Sequence, residues 1–344
     1  MQPNKLINQR ADGRDSSRIR GGAHERVGLV SSKSTGMIAS MLKFAVICML
    51  VGTLHLVAAS AIVAQELAPR TFWPAPKGAQ VLLAGYSRST GDILFDPSLP
   101  VSGVDSKINR FIGAYQQTLS LAGRTANLRF ELPYDDGTTT GQLNDQPASG
   151  SVSGFGDLRT TLSFNLLGAP TMNREEFMQL RANPKPIIGA SVTITAPTGE
   201  YDEDRLINIG TNRWATRFRL GYIQPFWDQW MLELGAGTWF FQDNDEFLGQ
   251  TREQDPITAL DISLIRRFKP GFWMSADLNY YFGGRTTISG IVSADFQRNS
   301  RGGLTIAYPF ARRQAIRASY SIGINTDIGG DYETLLLTYI YVLK

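Results

Sequence analysis

Cysteine and histidine are almost missing from this chain of 344 residues, which has one Cys and two His. A single Cys excludes a disulfide framework and a cysteine-built zinc site. Charged residues make up only 19% against 42% hydrophobic, which excludes a disordered polyampholyte. The mean hydropathy of −0.15 is too low for a bundle of membrane-spanning helices. No P-loop, dinucleotide fingerprint or zinc spacing is present, and Gly154-Phe155-Gly156-Asp157 is too short to count as one, so no cofactor is expected. Glycine is plentiful at 34 residues and aromatics reach 10%, which suits a β protein with many turns.

The first 64 residues differ from the rest. Residues 1–40 are largely polar and basic, and read as an extension or a misplaced start, with translation beginning at Met37 or Met41. Met41-Leu42-Lys43 then leads an apolar run from Phe44 to Ala64 that ends in small residues. Basic region, apolar region and small-residue cleavage site in that order predict a signal peptide over 41–64. A transmembrane anchor of about 20 residues is the alternative. Of the 34 Lys and Arg and the 31 Asp and Glu, 8 and 3 lie in 1–64, which leaves 26 and 28 and a net charge of −2. The basic character thus belongs to the leader, and no nucleic-acid partner is expected. His24, His55 and Cys48 would leave with it. Residues 65–78, with Pro69, Pro74 and Pro76, predict an extended lead segment that either enters the domain behind it or stays outside.

Residues 79–344 read as strands throughout. Apolar and polar residues alternate in units of about ten, as in Leu158, Leu162, Phe164 and Leu166 against Arg159, Thr161, Ser163 and Asn165. The same period runs through Ile188–Thr195, Arg217–Tyr222, Leu260–Leu264, Ser275–Tyr280, Ile316–Ile322 and Leu335–Leu343. About twelve strands result, each longer than the ~5–6 residues usual in soluble sheets and close to the ~9–11 that cross a bilayer when tilted. The connectors alternate. Turns at 120–122, 226–228, 269–271 and 311–313 are short, whereas 91–107, 134–154, 198–212, 242–255 and 283–299 are long and polar. The exception is 168–185, which holds a helix-like Asn173–Arg181 segment. Short periplasmic turns and long surface loops are the pattern of an outer-membrane hairpin barrel. Trp214, Trp227, Trp230, Trp239 and Trp273 fall near strand ends, as interfacial girdles would. The fold class is therefore all-β, a single-chain antiparallel transmembrane β-barrel.

A soluble two-sheet sandwich also alternates, but its exposed face would be rich in Lys. Only Lys77, Lys107, Lys185, Lys269 and Lys344 follow residue 64, all at loops or ends. The polar face instead carries Arg129, Glu131, Arg159, Arg217, Arg219, Glu233, Asp261, Asp277 and Arg317. These are the lumen-lining candidates. Nearly balanced signs suit interior ion pairs, which buried charges require, and equally suit the electrostatic barriers of a permeation route. A serine or acyl hydrolase needs a base, normally His, and none follows residue 64. Carboxylate pairs such as Asp135/Asp136 and Asp202/Asp204 could serve as acid and base or hold a divalent cation, but on polar loops a solvated acidic surface is expected. No enzyme is expected, and no metal.

Three stretches carry a resemblance. They are Gly154-Phe155-Gly156-Asp157; Pro197-Thr198-Gly199-Glu200-Tyr201 followed by Asn208-Ile209-Gly210-Thr211-Asn212-Arg213-Trp214; and Ser319-Tyr320-Ser321-Ile322-Gly323 followed by Gly329-Gly330-Asp331-Tyr332-Glu333-Thr334. In this order and spacing the chain resembles the phenol-degradation meta-pathway family of bacterial outer-membrane β-barrel proteins over nearly all of 70–344. The resemblance implies an outer-membrane transporter for small hydrophobic or aromatic compounds, linked to their catabolism, with no catalytic residues to carry over. Its partners would be outer-membrane lipid, the solute, and the insertion machinery during assembly. The alternative is a structural or adhesive barrel with a plugged lumen. Physically, Pro197, Gly199 and Gly210 in the second motif suit strand ends and turns, which points to loop architecture in place of a binding site. One departure concerns the end, where Leu343-Lys344 stands in place of the terminal aromatic residue common in such barrels.

Overall fold

The computed structural model describes residues 69–93, 101–143, 146–205, 207–327 and 331–343. The expected extension at 1–40 and signal peptide at 41–64 lie outside the described residues. In chain order the elements are β1 (Gln80–Gly91), β2 (Val101–Leu121), β3 (Arg124–Leu143), β4 (Gln146–Phe155), β5 (Leu158–Leu167), α1 (Arg174–Ala182), β6 (Ile187–Ala196), β7 (Ala215–Phe226), β8 (Trp230–Phe241), β9 (Asn244–Phe247), β10 (Gln250–Gln254), β11 (Ile257–Lys269), β12 (Phe272–Gly283), β13 (Thr286–Ile288), β14 (Ile291–Val292), β15 (Gln297–Ala311), β16 (Gln314–Thr326) and β17 (Tyr332–Val342).

Twelve of these strands close on themselves. The sheet runs β2-β1-β17-β16-β15-β12-β11-β8-β7-β6-β5-β3, and a β2–β3 pairing joins its ends. Every pairing is antiparallel, and β1 meets β17 over Val81–Gly91 in unbroken register. Closure leaves no edge strand, so the wall's backbone N–H and C=O groups are paired around the ring. The side chains follow the period of two. Leu162, Phe218, Leu220, Leu278, Leu304, Leu335 and Leu337 are exposed, whereas the polar residues between them turn to the buried face. An apolar band of this size all round a barrel is too large for a water-soluble surface and fits hydrocarbon.

The long connectors are more structured than their polar sequence predicts. β3 continues to Leu143 and returns as β4, which pairs with it from Leu143↔Gln146 to Tyr134↔Phe155. The connectors after β8 and β12 form a second sheet, ordered β14-β13-β10-β9. These hairpins stand beyond the apolar band, and their buried positions are mostly polar, as Asn244, Arg252 and Thr286 are, so no apolar alternation marks them.

The opposite end carries the short turns and the irregular connector. α1 is fixed by a capping box: Asn173 Oδ1 accepts from the Glu176 N–H at 2.9 Å, and Glu176 Oε2 accepts from the Asn173 N–H at 2.8 Å. Its last turn is tied to the barrel, because Arg267 of β11 donates Nη1 to the Arg181 carbonyl at 2.7 Å.

The aromatic girdle is incomplete. Trp214 and Trp227 are exposed, but Trp239 and Trp273 are 9% and 8% exposed and face inward. Each shares the parity of an inward acid on its own strand, Glu233 on β8 and Asp277 on β12, so pleat parity overrides position near a strand end. Trp239 lies under the Arg217 guanidinium at 3.7 Å, an inward partner that suits its ring.

Candidate functional site: the barrel interior

Of the nine lumen candidates, five assemble into two ion-pair clusters. Glu131 accepts from Arg129, its neighbour two residues before on β3, and pairs with Arg159 of β5 at 2.7 Å. Arg219 of β7 donates both Nε and Nη2 to Asp261 Oδ2 of β11, at 2.9 and 2.6 Å. Asn279 of β12 donates to the other Asp261 oxygen at 2.8 Å. β8 lies between β7 and β11, and it offers glycines here: Gly237 stands opposite Arg219 and Gly235 opposite Asp261. A Cβ on Gly235 would collide with both charged groups, so the small residues make the room that the pair fills.

The remaining four candidates have other close contacts. Asp277 Oδ2 accepts from Ser275 and Thr305, both at 2.9 Å. Arg217 covers Trp239, and Arg317 stands across from Ala307 and Thr338. Glu233 is 3% exposed and accepts the backbone N–H of Arg70 at 2.6 Å.

That last contact belongs to the lead segment, which enters the barrel. Phe72 is 1% exposed and packs in a cluster with Ile187, Ile223, Met231, Ile265 and Trp273, all inward residues at the short-turn ends of their strands. Its ring lies against Gly189 of β6 and Gly221 of β7, where any Cβ would strike it. The two glycines face inward directly opposite each other in the β6–β7 register and form a seat. The Arg70 guanidinium lies 4.5 Å from the Trp73 ring and 5.2 Å from Trp273, and Arg219 approaches Phe72 from above at 5.5 Å. Met172 and Leu180, before and within α1, complete the apolar cluster. The interior is therefore filled at the short-turn end by the chain's own residues 69–74 and the connector that carries α1.

Several inward charges escape the sequence pattern. Arg110 of β2 grips Asp135 of β3 through two bonds of 2.6 and 2.9 Å, so Asp135 is an interior pairing partner and not part of a surface acidic loop. Arg301 of β15 is fully buried. It donates to the Tyr332 carbonyl and to Ser321 Oγ, both at 3.0 Å, and covers the Tyr332 ring at 3.7 Å. Asn299, Gly303 and Thr305 share the parity of Arg301, and this alternation is the signal that could have found it. Arg70 has no such signal, because it lies outside any strand.

The conspicuous motifs are joined to one another. The Asp157 carboxylate accepts from the Gly199 N–H at 2.9 Å, the Thr211 N–H at 3.0 Å and Thr211 Oγ1 at 2.7 Å. Gly199 and Gly210 touch backbone to backbone, where a Cβ on either would clash. Asn244 of β9 donates to the Tyr201 hydroxyl at 2.9 Å, which donates to the Glu246 carbonyl at 3.0 Å. The first two motifs are thus one structural knot over the long-loop end. Asp202 of the same loop pairs with Arg205 at 2.9 Å and accepts from the Asp204 N–H at 3.1 Å, both local contacts of an exposed turn.

Comparison with known proteins agrees with this architecture. An outer membrane channel from Pseudomonas putida F1 superposes with a TM-score of 0.68 at 25% identity, over 81% of this chain and 100% of that one. The transport unit of the autotransporter AIDA-I from Escherichia coli aligns at 0.46 and 11% identity, over 82% and 94%. The Pseudomonas putida toluene transporter TodX aligns at 0.42 and 12%, over 83% and 95%. Among curated proteins none matches the sequence. The family described as "Putative MetA-pathway of phenol degradation" matches residues 102–328, which takes in the first two motifs and the Ser319–Gly323 stretch of the third. A closed twelve-stranded barrel with an apolar outer band places the chain in the bacterial outer membrane, and it belongs to this phenol-degradation family.

Proposed function

We propose that this barrel is a channel for passive uptake of small hydrophobic or aromatic compounds across the outer membrane, linked to their catabolism. The observation that carries it is the closure at the periplasmic end. Phe72 sits on a seat of two glycines, held by Arg70 and Glu233, without any covalent tie. A segment docked in this way can leave, and its departure would open a path past the interior ion pairs. The likeness to an outer membrane channel supports this use of the interior. Arg129, Glu131, Arg159, Arg217, Arg219, Glu233, Asp261, Asp277 and Arg317 would line that path and set its electrostatic barriers. The mature protein would follow removal of a signal peptide at 41–64. The mechanism needs no covalent chemistry and no nucleotide.

The same closure favours a second use, a structural or adhesive barrel whose interior stays filled. Uptake separates the two. In a deletion strain, entry of labelled phenolic, alkane-like and sugar solutes is compared at low external concentration. Complementation uses the wild type and the Arg217→Ala/Arg219→Ala variant, each checked for surface expression. Slower entry of one hydrophobic class, restored by the wild type, supports the channel. Unchanged entry of every solute with folded protein present overturns it.

A further inference from the structure

We propose that the outer rim of the barrel beside β12 and β15 binds the phosphates of the outer leaflet's glycolipid, the lipid A part of lipopolysaccharide. Two arginines carry the proposal. Arg298 begins β15 between Gln297 and Asn299, which are fully buried, so it faces outward. It stands across from Phe282, an exposed ring that leans on Tyr280 at 6.1 Å. Such outward rings mark the headgroup zone, and Arg298 is therefore at headgroup depth.

Arg285 joins it from the connector before β13. Both guanidiniums lie over one ring, Phe296, at 5.2 and 5.6 Å from its centroid. Between them opens a cleft of about 530 Å³ that also takes in Val292, Ser293 and Asp327. Among the described residues neither guanidinium donates a hydrogen bond. Arg298 meets one opposite charge, Asp327, at 3.9 Å, and both partners are half exposed. Two planar cations spaced by an aromatic ring, with no hydrogen bond to a described residue, match phosphate oxygens.

The cleft is held in shape before anything binds. The Asp295 carboxylate, 2% exposed, accepts from the Thr286 N–H at 2.9 Å and from Thr286 Oγ1 at 2.6 Å, which ties the strand after Arg285 to the residue before Phe296. The Arg285 carbonyl accepts from the Asp255 N–H at 2.8 Å. Ile291 and Val292 at the adjoining turn are 75% and 60% exposed, an apolar shoulder suited to a lipid neighbour. A free inorganic phosphate would use the arginines but leave that shoulder bare, and the barrel's own membrane supplies the lipid form.

The test uses the whole mature protein in detergent, stripped of co-purified lipid, with bound lipid counted by native mass spectrometry. The probes are bis-phosphorylated lipid A, dephosphorylated lipid A and inorganic phosphate. Wild type should hold bis-phosphorylated lipid A, and Arg285→Gln/Arg298→Gln should bind it on the order of tenfold more weakly. Arg285→Lys/Arg298→Lys keeps the charge without the planar fork and should fall between wild type and the glutamine pair, and Arg174→Gln/Arg312→Gln at the opposite rim should keep all of the affinity. Heat-modifiable migration verifies the fold of each variant. Equal binding by the two glutamine pairs overturns the proposal, as does equal binding of dephosphorylated lipid A. Inorganic phosphate held as tightly as lipid A overturns it in favour of a free-phosphate site.

Discussion

The docked lead segment makes the sharpest prediction. Replacing Phe72 by Ala removes a ring that is 1% exposed and seated on Gly189 and Gly221. Losing a buried phenyl costs about 3–5 kcal/mol when the site cannot collapse. The seat is made of backbone, so collapse is limited, and the low end of that range, about 3 kcal/mol, is a conservative working value. The loss falls on the docked state alone, because the undocked segment does not use the seat. At about 1.4 kcal/mol per tenfold, the undocked population should rise on the order of a hundredfold. Single-channel recording in planar bilayers reads this as open time. Gly221→Ala attacks the same contact from the other side, since its Cβ meets the Phe72 ring. It should raise open time in the wild-type background and add little once Phe72 is Ala, a strong coupling in the double-mutant cycle. Open time unchanged in Phe72→Ala, with the barrel still folded, would refute the claim that this segment closes the interior.

Three further outcomes are expected. Arg219→Ala strands Asp261, which is 12% exposed, and should destabilise the barrel by about 3–5 kcal/mol in urea unfolding, whereas Arg219→Ala/Asp261→Ala should lose less than Arg219→Ala alone. Asp157→Ala removes the acceptor of three hydrogen bonds and should release the 198–212 loop, read as faster cleavage by external protease on intact cells, while the barrel's melting is little changed. Asp92, in the loop after β1, has its carboxyl pushed up by burial and then by nearby Asp331. A raised acid contributes its stability at low pH and loses it as pH climbs through the folded value, so the contact of Asp92 with Asp331 should loosen across the weakly acidic range. Hydrogen exchange at residues 91–93 checks this, and Asp92→Asn should abolish the pH dependence.

The inward face was legible because the environment outside it is hydrocarbon. Every outward position must be apolar, so Arg129, Arg219, Asp261 and their companions stood out as the other half of a period of two. Which of them meet was not legible, since Arg219 and Asp261 are brought together across the intervening β8 by register and by Gly235. Trp239 and Trp273 misled because a tryptophan near a strand end fits a girdle and an interior equally well until parity is counted. The loop hairpins escaped because their buried positions are polar, as where Thr139 meets Ser106 at 2.7 Å, and because β4 is exposed over most of its length, so no apolar alternation shows. The knot around Asp157 joins the first two motifs into one piece of loop architecture, and its acceptor is the last residue of the first motif.

From sequence alone came the all-β class, the twelve long strands, the polarity of each face and the short and long ends, because local period and turn chemistry are properties of neighbouring residues. Tertiary structure alone decided where the lead segment goes. Phe72 is one aromatic residue in a proline-bounded stretch, and only the convergence of β6, β7, β8, β11 and β12 builds the glycine seat and the Glu233 acceptor that draw it inside. Such a site is made of contacts between residues more than a hundred positions apart, and no local pattern encodes them.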